Sequence, residues 1–137
     1  MFLFRLLAAL AAIGAAQTPA SANPSTEVAT VVARREIPNI PGKSLVSVLV
    51  TYAPGAKSPP HRHAASGFIY AYVLSGAIRS QTGVAAPQVY HAGESWFEPP
   101  GARHSVSENA SDAEPARLLA IFVVDTSDEE LTHADQQ

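Results

Sequence analysis

The spacing of its turn signals constrains this chain more than any other feature. Dipeptides that favour tight turns recur from residue 41 to residue 101, and the segments between them are short and rich in Val, Ile, Leu, Tyr and Phe. With 11 prolines and 8 glycines in 137 residues, no helix-type periodicity survives beyond the N-terminal segment. The chain is therefore predicted to be all-β, with turns at Pro41-Gly42, Pro54-Gly55, Ser75-Gly76, Thr82-Gly83 and Pro100-Gly101.

Eight strands are expected between these turns. A chain of this length has room for one folded domain and one core. Short strands separated by turn residues are typical of sandwiches and barrels. The expected strands cover residues 28–33, 45–52, 68–74, 77–81, 88–91, 95–98, 104–107 and 118–124.

The N-terminal segment has the layout of a secretory signal peptide. MFLFRLLAALAAIGAAQTPASA carries an early charge at Arg5, an apolar stretch and a small-x-small ending at Ala20 and Ala22. A bilayer span needs about 20 apolar residues, and this stretch is shorter. We predict a signal peptide over residues 1–22 and an exported, periplasmic or extracellular protein. An N-terminal arm over 23–43, a barrel over 44–125 and an acidic flexible tail over 126–137 would follow.

Charge and cysteine content limit the partners and the sources of stability. The formal net charge is −3 and no run of Lys or Arg is present, so nucleic-acid binding is not expected. After cleavage no stable membrane span is expected. Because there are no cysteines, disulfides cannot stabilise the exported domain, and stability must come from the core or from oligomerisation. A homodimer formed through edge strands is predicted.

Two histidines one residue apart are the strongest chemical signal. Residues two apart on a strand face the same way, so the rings of His61 and His63 can share one ion. Imidazole suits Zn, Fe, Ni, Cu and Mn, and a metal site usually needs further ligands from elsewhere. His104, just after the turn at Pro100-Gly101, is the candidate third ligand. The alternative is that the pair are polar residues at the start of a strand, whereas His91 and His133 are not expected to be ligands.

The glycines and prolines around these histidines form two recurring patterns. The first has Gly55, His61, His63 and Gly76 in order, and the second has Gly93, Pro99, Gly101 and His104. Glycine permits the positive φ of a tight turn, and proline fixes φ while donating no ladder hydrogen bond. Through these two patterns the chain resembles the cupin superfamily, and in particular its small single-domain secreted members. The resemblance spans roughly residues 44 to 125 and implies a double-stranded β-helix, or jelly-roll barrel, with a divalent metal held by His61, His63 and His104.

The chain departs from the superfamily pattern at the metal-binding glutamate. Counted back from Gly76, that position is Ile69, and the motif asparagine is displaced by one, with Glu108 in its place. Glu98 stands just before Pro99, where an apolar residue pointing into the barrel is usual in the superfamily. A buried carboxylate needs a cation or hydrogen-bond donors. We therefore hypothesise that Glu98 is a fourth ligand or a base beside a metal-bound water; the alternative turns it outward toward Arg103 or Lys57.

A jelly-roll fold hosts both enzymes and binding proteins, so fold does not choose the function. The resemblance favours a metal-dependent oxidoreductase, dioxygenase-like, acting on a small organic molecule. The alternative is a non-catalytic metal- or ligand-binding protein, a sensor or carrier. Phe68 and Trp96 are candidates for the substrate pocket. Arg62 and Arg103, next to the histidines in sequence, could lie at its mouth, where they would favour an anion, or in solvent.

Overall fold

The computed structural model describes residues 26–135, and within them the chain forms ten β-strands and no helix. The all-β prediction is confirmed, and each of the eight expected strands is present. The predicted signal peptide over residues 1–22 lies outside the described residues. In the part that is described, no helix has the length and apolar character needed to cross a membrane. The strands are β1 (Glu27–Glu36), β2 (Lys43–Tyr52), β3 (His61–His63), β4 (Phe68–Ser75), β5 (Ala77–Thr82), β6 (Gln88–His91), β7 (Ser95–Glu98), β8 (Arg103–Asn109), β9 (Ala116–Asp125) and β10 (Thr132–Ala134).

The strands form two five-stranded antiparallel sheets. One sheet has the order β1-β2-β9-β4-β7, and the other has the order β10-β3-β8-β5-β6. Neighbours in each sheet are mostly distant in sequence, as β2 and β9 are. Connections therefore cross from one sheet to the other, which is the arrangement of a jelly roll.

The core lies between the inner faces of the two sheets. Strand β2 shows how the sequence builds it, because Val46, Val48, Val50 and Tyr52 alternate with more exposed residues and are all buried. The same alternation continues in β4 and β9. Burying an aliphatic side chain of this size stabilises the fold by about 1.5–3 kcal/mol. The facing apolar rows therefore hold the sheets together.

The C-terminal region differs from the flexible tail expected for residues 126–137. Thr132–Ala134 forms β10, which pairs antiparallel with β3. Beyond it, Asp135 forms ion pairs with Arg62 of β3 and Arg103 of β8. Backbone hydrogen bonds and charge pairing thus attach this acidic segment to the edge of the second sheet.

The β4–β5 turn shows why a glycine is required at one of the predicted turns. Gly76 has a φ of 71°, which L-residues with a side chain rarely adopt. A Cβ atom there would lie 2.6 Å from the carbonyl oxygen of Pro115 and 2.9 Å from Cα of Ala116. The turn therefore needs glycine both for its backbone conformation and for the close approach of the chain that leads into β9.

Candidate metal centre

Strand pairing brings the three predicted histidines together. His61 and His63 lie on the same face of β3, and β3 pairs with β8 so that His61 is directly opposite His104. The ring centroids of the three residues are 4.9, 5.2 and 5.6 Å apart. One ligand atom from each ring lies within 4.8 Å of the others, so the group could hold a metal ion.

A carboxylate reaches the same point from the other sheet. Glu98, the last residue of β7, is only 2% exposed. Its Oε2 atom lies 2.8 Å from Nε2 of His63, and its Oε1 atom lies 3.6 Å from Nδ1 of His104. The alternative that turns Glu98 outward toward Arg103 or Lys57 does not hold, because its carboxylate is buried against His63 and His104.

The position of Glu98 accounts for the missing motif glutamate. In the pairing of β4 with β7, Ile69 is directly opposite Glu98. Cross-strand partners project from the same face of a sheet with their Cβ atoms about 4.5–5.5 Å apart. A carboxylate on β7 can therefore reach the region that a carboxylate on β4 would reach, and the apolar Ile69 fills the neighbouring space.

Neighbouring groups fix the orientation of the cluster. The Nδ1 atom of His61 lies 2.8 Å from the carbonyl oxygen of Pro59. A carbonyl only accepts, so Nδ1 donates, and the lone pair of this ring is left on Nε2. Ser80 Oγ lies 2.9 Å from Nε2 of His104, and the Trp96 indole donates to Oε1 of Glu98 at 2.8 Å. These contacts hold the rings and the carboxylate in place.

The protonation states suit a cation. Burial lowers the pKa of His61, and it lowers the pKa of His104 to about 4, so both rings are neutral near pH 7. Burial acts to raise the pKa of Glu98, but its contacts with His63, His104 and Trp96 outweigh burial and lower that pKa overall. Neutral imidazoles and an ionised carboxylate are the forms that bind metal ions.

Unsatisfied ligand atoms test whether a metal fits here. Within residues 26–135, both ring nitrogens of His63 and Oε2 of Glu98 are buried without a hydrogen-bond partner. Although His63 Nε2 and Glu98 Oε2 lie 2.8 Å apart, they are not aligned as a hydrogen bond. Buried polar atoms are normally paired. A divalent cation between them would satisfy both, so the residues fit a metal.

The histidine cluster opens into a cavity of about 550 Å³ between the sheets. This volume lies in the range of about 300–1,000 Å³ that is usual for small-molecule sites. Apolar side chains form most of its wall, and one wall carries a Tyr52 hydroxyl that lies 2.8 Å from the hydroxyls of both Ser58 and Ser107. The apolar wall residues are Ala29, Val31, Val48, Val50, Pro59, Pro60, Ile69, Ala71, Leu118, Ala120, Phe122, Leu131 and Ala134.

The two predicted pocket aromatics are not part of this wall. Phe68 is 44% exposed on the outer face and stacks on Phe97 with ring centroids 5.7 Å apart. Its neighbour Ile69 points inward, and alternation along β4 turns Phe68 outward. Trp96 is buried, packs against Tyr90 and donates a hydrogen bond to Glu98. The expectation for Phe68 and Trp96 is corrected accordingly.

Several residues that line the cavity were not identified as candidate site residues from the sequence. Glu27, Glu129 and His133 all line it. His133 was set aside as part of a tail, and the pairing of β10 with β3 brings it to the cavity. Glu27 is the first residue of a strand whose register no local pattern reveals. By contrast, Arg62 and Arg103 do not line the cavity and instead form ion pairs with Asp135.

Comparison with solved structures supports the same fold. A protein with a double-stranded β-helix domain from Klebsiella pneumoniae has a TM-score of 0.62 and 19% identity, over 81% of this chain and 85% of that one. The protein TT1209 from Thermus thermophilus has a TM-score of 0.58 and 26% identity, over 77% of this chain and 90% of that one. An oxalate decarboxylase variant from B. subtilis has a TM-score of 0.59 and 24% identity, over 82% of this chain but only 28% of that one.

The fold is thus a double-stranded β-helix, as the resemblance implied. A search of curated proteins found no match. The family model described as Cupin domain matches residues 48–122, which include the three histidines, Glu98 and most of the cavity wall. The chain therefore belongs to the cupin domain family.

Proposed function

We propose that this protein is an exported, metal-dependent oxidoreductase of the dioxygenase type that acts on a small organic molecule in the barrel cavity. His61, His63 and His104 would hold a divalent transition metal, which is Fe, Mn, Ni, Cu or Zn. Glu98 would be the fourth ligand. The observation that carries the proposal is the convergence of three imidazoles and one buried carboxylate, with unsatisfied ligand atoms, at an apolar cavity.

The chain's own residues would prepare the site for this chemistry. A first-row metal held by these residues would supply binding and activation of O2 or of an organic oxygen donor. The apolar walls exclude water, which strengthens electrostatic interactions inside the cavity. Pro59 and Ser80 hold two of the rings, and Trp96 holds the carboxylate by a hydrogen bond. The signal-peptide pattern over residues 1–22 supports the proposed export.

Metal content and turnover test the proposal together. The purified protein is stripped, reloaded separately with Fe(II), Mn(II), Ni(II), Cu(II) or Zn(II), analysed for metal stoichiometry and screened for O2 uptake with small organic molecules. We expect near-stoichiometric metal and O2 uptake with at least one metal. The His61→Ala/His63→Ala double variant should lose both, whereas His91→Ala, on an exposed residue of β6, should keep both. A wild type without stoichiometric metal would overturn the metal site.

The alternative is a non-catalytic binding protein, a sensor or carrier. It is favoured by the mostly apolar cavity wall, on which the Tyr52, Ser58 and Ser107 hydroxyls bond to one another and are not free to transfer protons to a ligand. Stoichiometric metal and saturable ligand binding without turnover under any of the five metals would favour this alternative.

A further inference from the structure

The charged side chains that line the cavity outside the metal cluster are acidic. Glu27 of β1 and Glu129 line it together with His133, and no Lys or Arg of the described residues does so. The nearby basic groups are engaged elsewhere: Arg62 and Arg103 pair with Asp135. Outside the metal cluster, the acidic charge of the cavity lining therefore comes from carboxylates that no Lys or Arg of the described lining offsets.

Of the two carboxylates that line the cavity outside the metal cluster, Glu27 is the one more closely associated with the wall. It is directly opposite Tyr52 in the pairing of β1 with β2, and Tyr52 is buried on the inner face. Cross-strand partners share a face, so Glu27 also projects inward. It is half-buried, whereas Glu129 is exposed. Within residues 26–135 its carboxylate has no ion pair or hydrogen bond.

An unpaired carboxylate beside an apolar wall discriminates between ligands by charge. Burial raises the pKa of Glu27, which reflects the cost of keeping its charge away from water. A cation placed next to it would offset that cost, whereas an anion would be repelled. Apolar residues such as Val50, Ile69 and Phe122 would contact the uncharged body of the ligand.

We infer that the cavity selects an organic cation, a protonated amine on an apolar or aromatic body, with its charged end at Glu27 and its body along the apolar wall. The inference rests on the proposed function, because it names the class of molecule that enters the same cavity. It assigns Glu27 as the residue that determines ligand charge, separately from the metal cluster.

Three probes with the same aromatic body test the inference. Phenethylamine, phenethyl alcohol and phenylacetate are titrated by calorimetry against the metal-free and the metal-loaded protein. We expect the metal-free protein to bind the amine most tightly and phenylacetate most weakly. Measuring both forms separates the Glu27 end from the metal, because phenylacetate can also bind a metal through its carboxylate.

Variants then assign the preference to Glu27. Glu27→Gln should weaken binding of phenethylamine by about threefold to tenfold, as expected for one partly exposed charge pair, and should leave phenethyl alcohol unchanged. Glu36→Gln, at the exposed opposite end of β1, is the matched control and should change neither. Unliganded melting temperatures verify that both variants fold.

The outcomes separate this inference from the proposed function. Equal binding of amine and alcohol, tighter binding of phenylacetate by the metal-free protein, or an equal effect of Glu36→Gln would overturn the inference. An amine preference that depends on Glu27 in a protein that binds no metal would support the inference and overturn the proposed function. Stoichiometric metal binding without the amine preference would overturn the inference about Glu27 and would leave the proposed metal site supported.

Discussion

At the scale of single residues, the candidate site depends on a carboxylate that lies one strand away from its expected position. The motif position holds Ile69, and its cross-strand partner Glu98 faces the histidines. The sequence indicated Glu98 because a charged residue before Pro99 stood where an apolar residue was expected. It could not show that β7 lies next to β4, which is the fact that explains the replacement.

The first prediction concerns the charge of Glu98. Glu98→Gln keeps the side-chain volume and an oxygen that can accept from Trp96, but it removes the negative charge facing His63 and His104. We expect metal affinity to fall by roughly 100-fold or more, since even residues that only orient ligands typically contribute 10–100-fold. Competition with a metallochromic chelator measures this affinity.

The matched control for that prediction is Glu114→Gln, a charge removal on an exposed residue. It should leave the affinity unchanged. If Glu98→Gln binds metal as tightly as the wild type does, then Glu98 is not a ligand.

Which side chains face the cavity was harder to predict than which residues form the cluster. His61 and His63 follow from spacing alone, because a two-residue interval places them on one face wherever the strand lies. Phe68 was a candidate for the substrate pocket but faces outward, since a run of apolar and aromatic residues in β4 does not reveal its register. Glu27 faces the cavity because β1 pairs with β2 in a particular register. The residues next to Glu27 in the sequence do not indicate that register.

At the scale of elements, the turns determine where strands begin and end. The strands were predicted from the glycines and prolines of these turns, and each of the eight expected strands is present. β10 escaped prediction because Thr132–Ala134 is short and has no apolar alternation. Its conformation comes from pairing with β3, a contact between distant parts of the chain.

A second prediction tests the turn between β4 and β5. Gly76→Ala must place a Cβ atom 2.6 Å from the Pro115 carbonyl oxygen at a φ of 71°. We expect the free energy of unfolding to fall by about 2–4 kcal/mol, since conformational strain and a backbone clash add. Chemical denaturation measures the change.

Gly42→Ala is the control for the turn variant. Its φ is also positive, at 77°, but no atom lies within 4 Å of the added Cβ. It should cost only about 1–2 kcal/mol from backbone strain. Equal losses for Gly42→Ala and Gly76→Ala would show that the approach of residues 115 and 116 does not constrain the turn.

A third prediction concerns the attachment of β10 to the histidine-bearing strand. Asp135→Ala removes the partner of Arg62 and Arg103. Because partly exposed ion pairs contribute about 0.2–1 kcal/mol, amide exchange across residues 132–134 and 61–63 should accelerate by about twofold to fivefold. Asp112→Ala, at an exposed turn, should leave those amides unchanged, and unaltered exchange in Asp135→Ala would show that the ion pairs do not hold β10.

At the scale of the whole molecule, the longest exposed edge belongs to β1. Among residues 26–135, this ten-residue strand lies at the end of its sheet and pairs only with β2. Val28 and Val32 on it are 52% and 54% exposed. An edge that is long and apolar invites pairing with another strand unless it is covered. Because an antiparallel edge is self-complementary under a two-fold axis, a second copy is the partner we expect, and the protein should be a homodimer.

The last prediction tests this dimer at the bulge of β1. Val32 lies where the register between β1 and β2 shifts, at the middle of the exposed edge. Val32→Lys would bury an unpaired charge between the two copies, so the dimer dissociation constant should rise at least about tenfold. Analytical ultracentrifugation of the purified protein measures it. Val84→Lys, which is fully exposed in the β5–β6 turn, should remain dimeric. A monomeric wild type, or a Val32→Lys variant that stays fully dimeric, would place the assembly surface elsewhere.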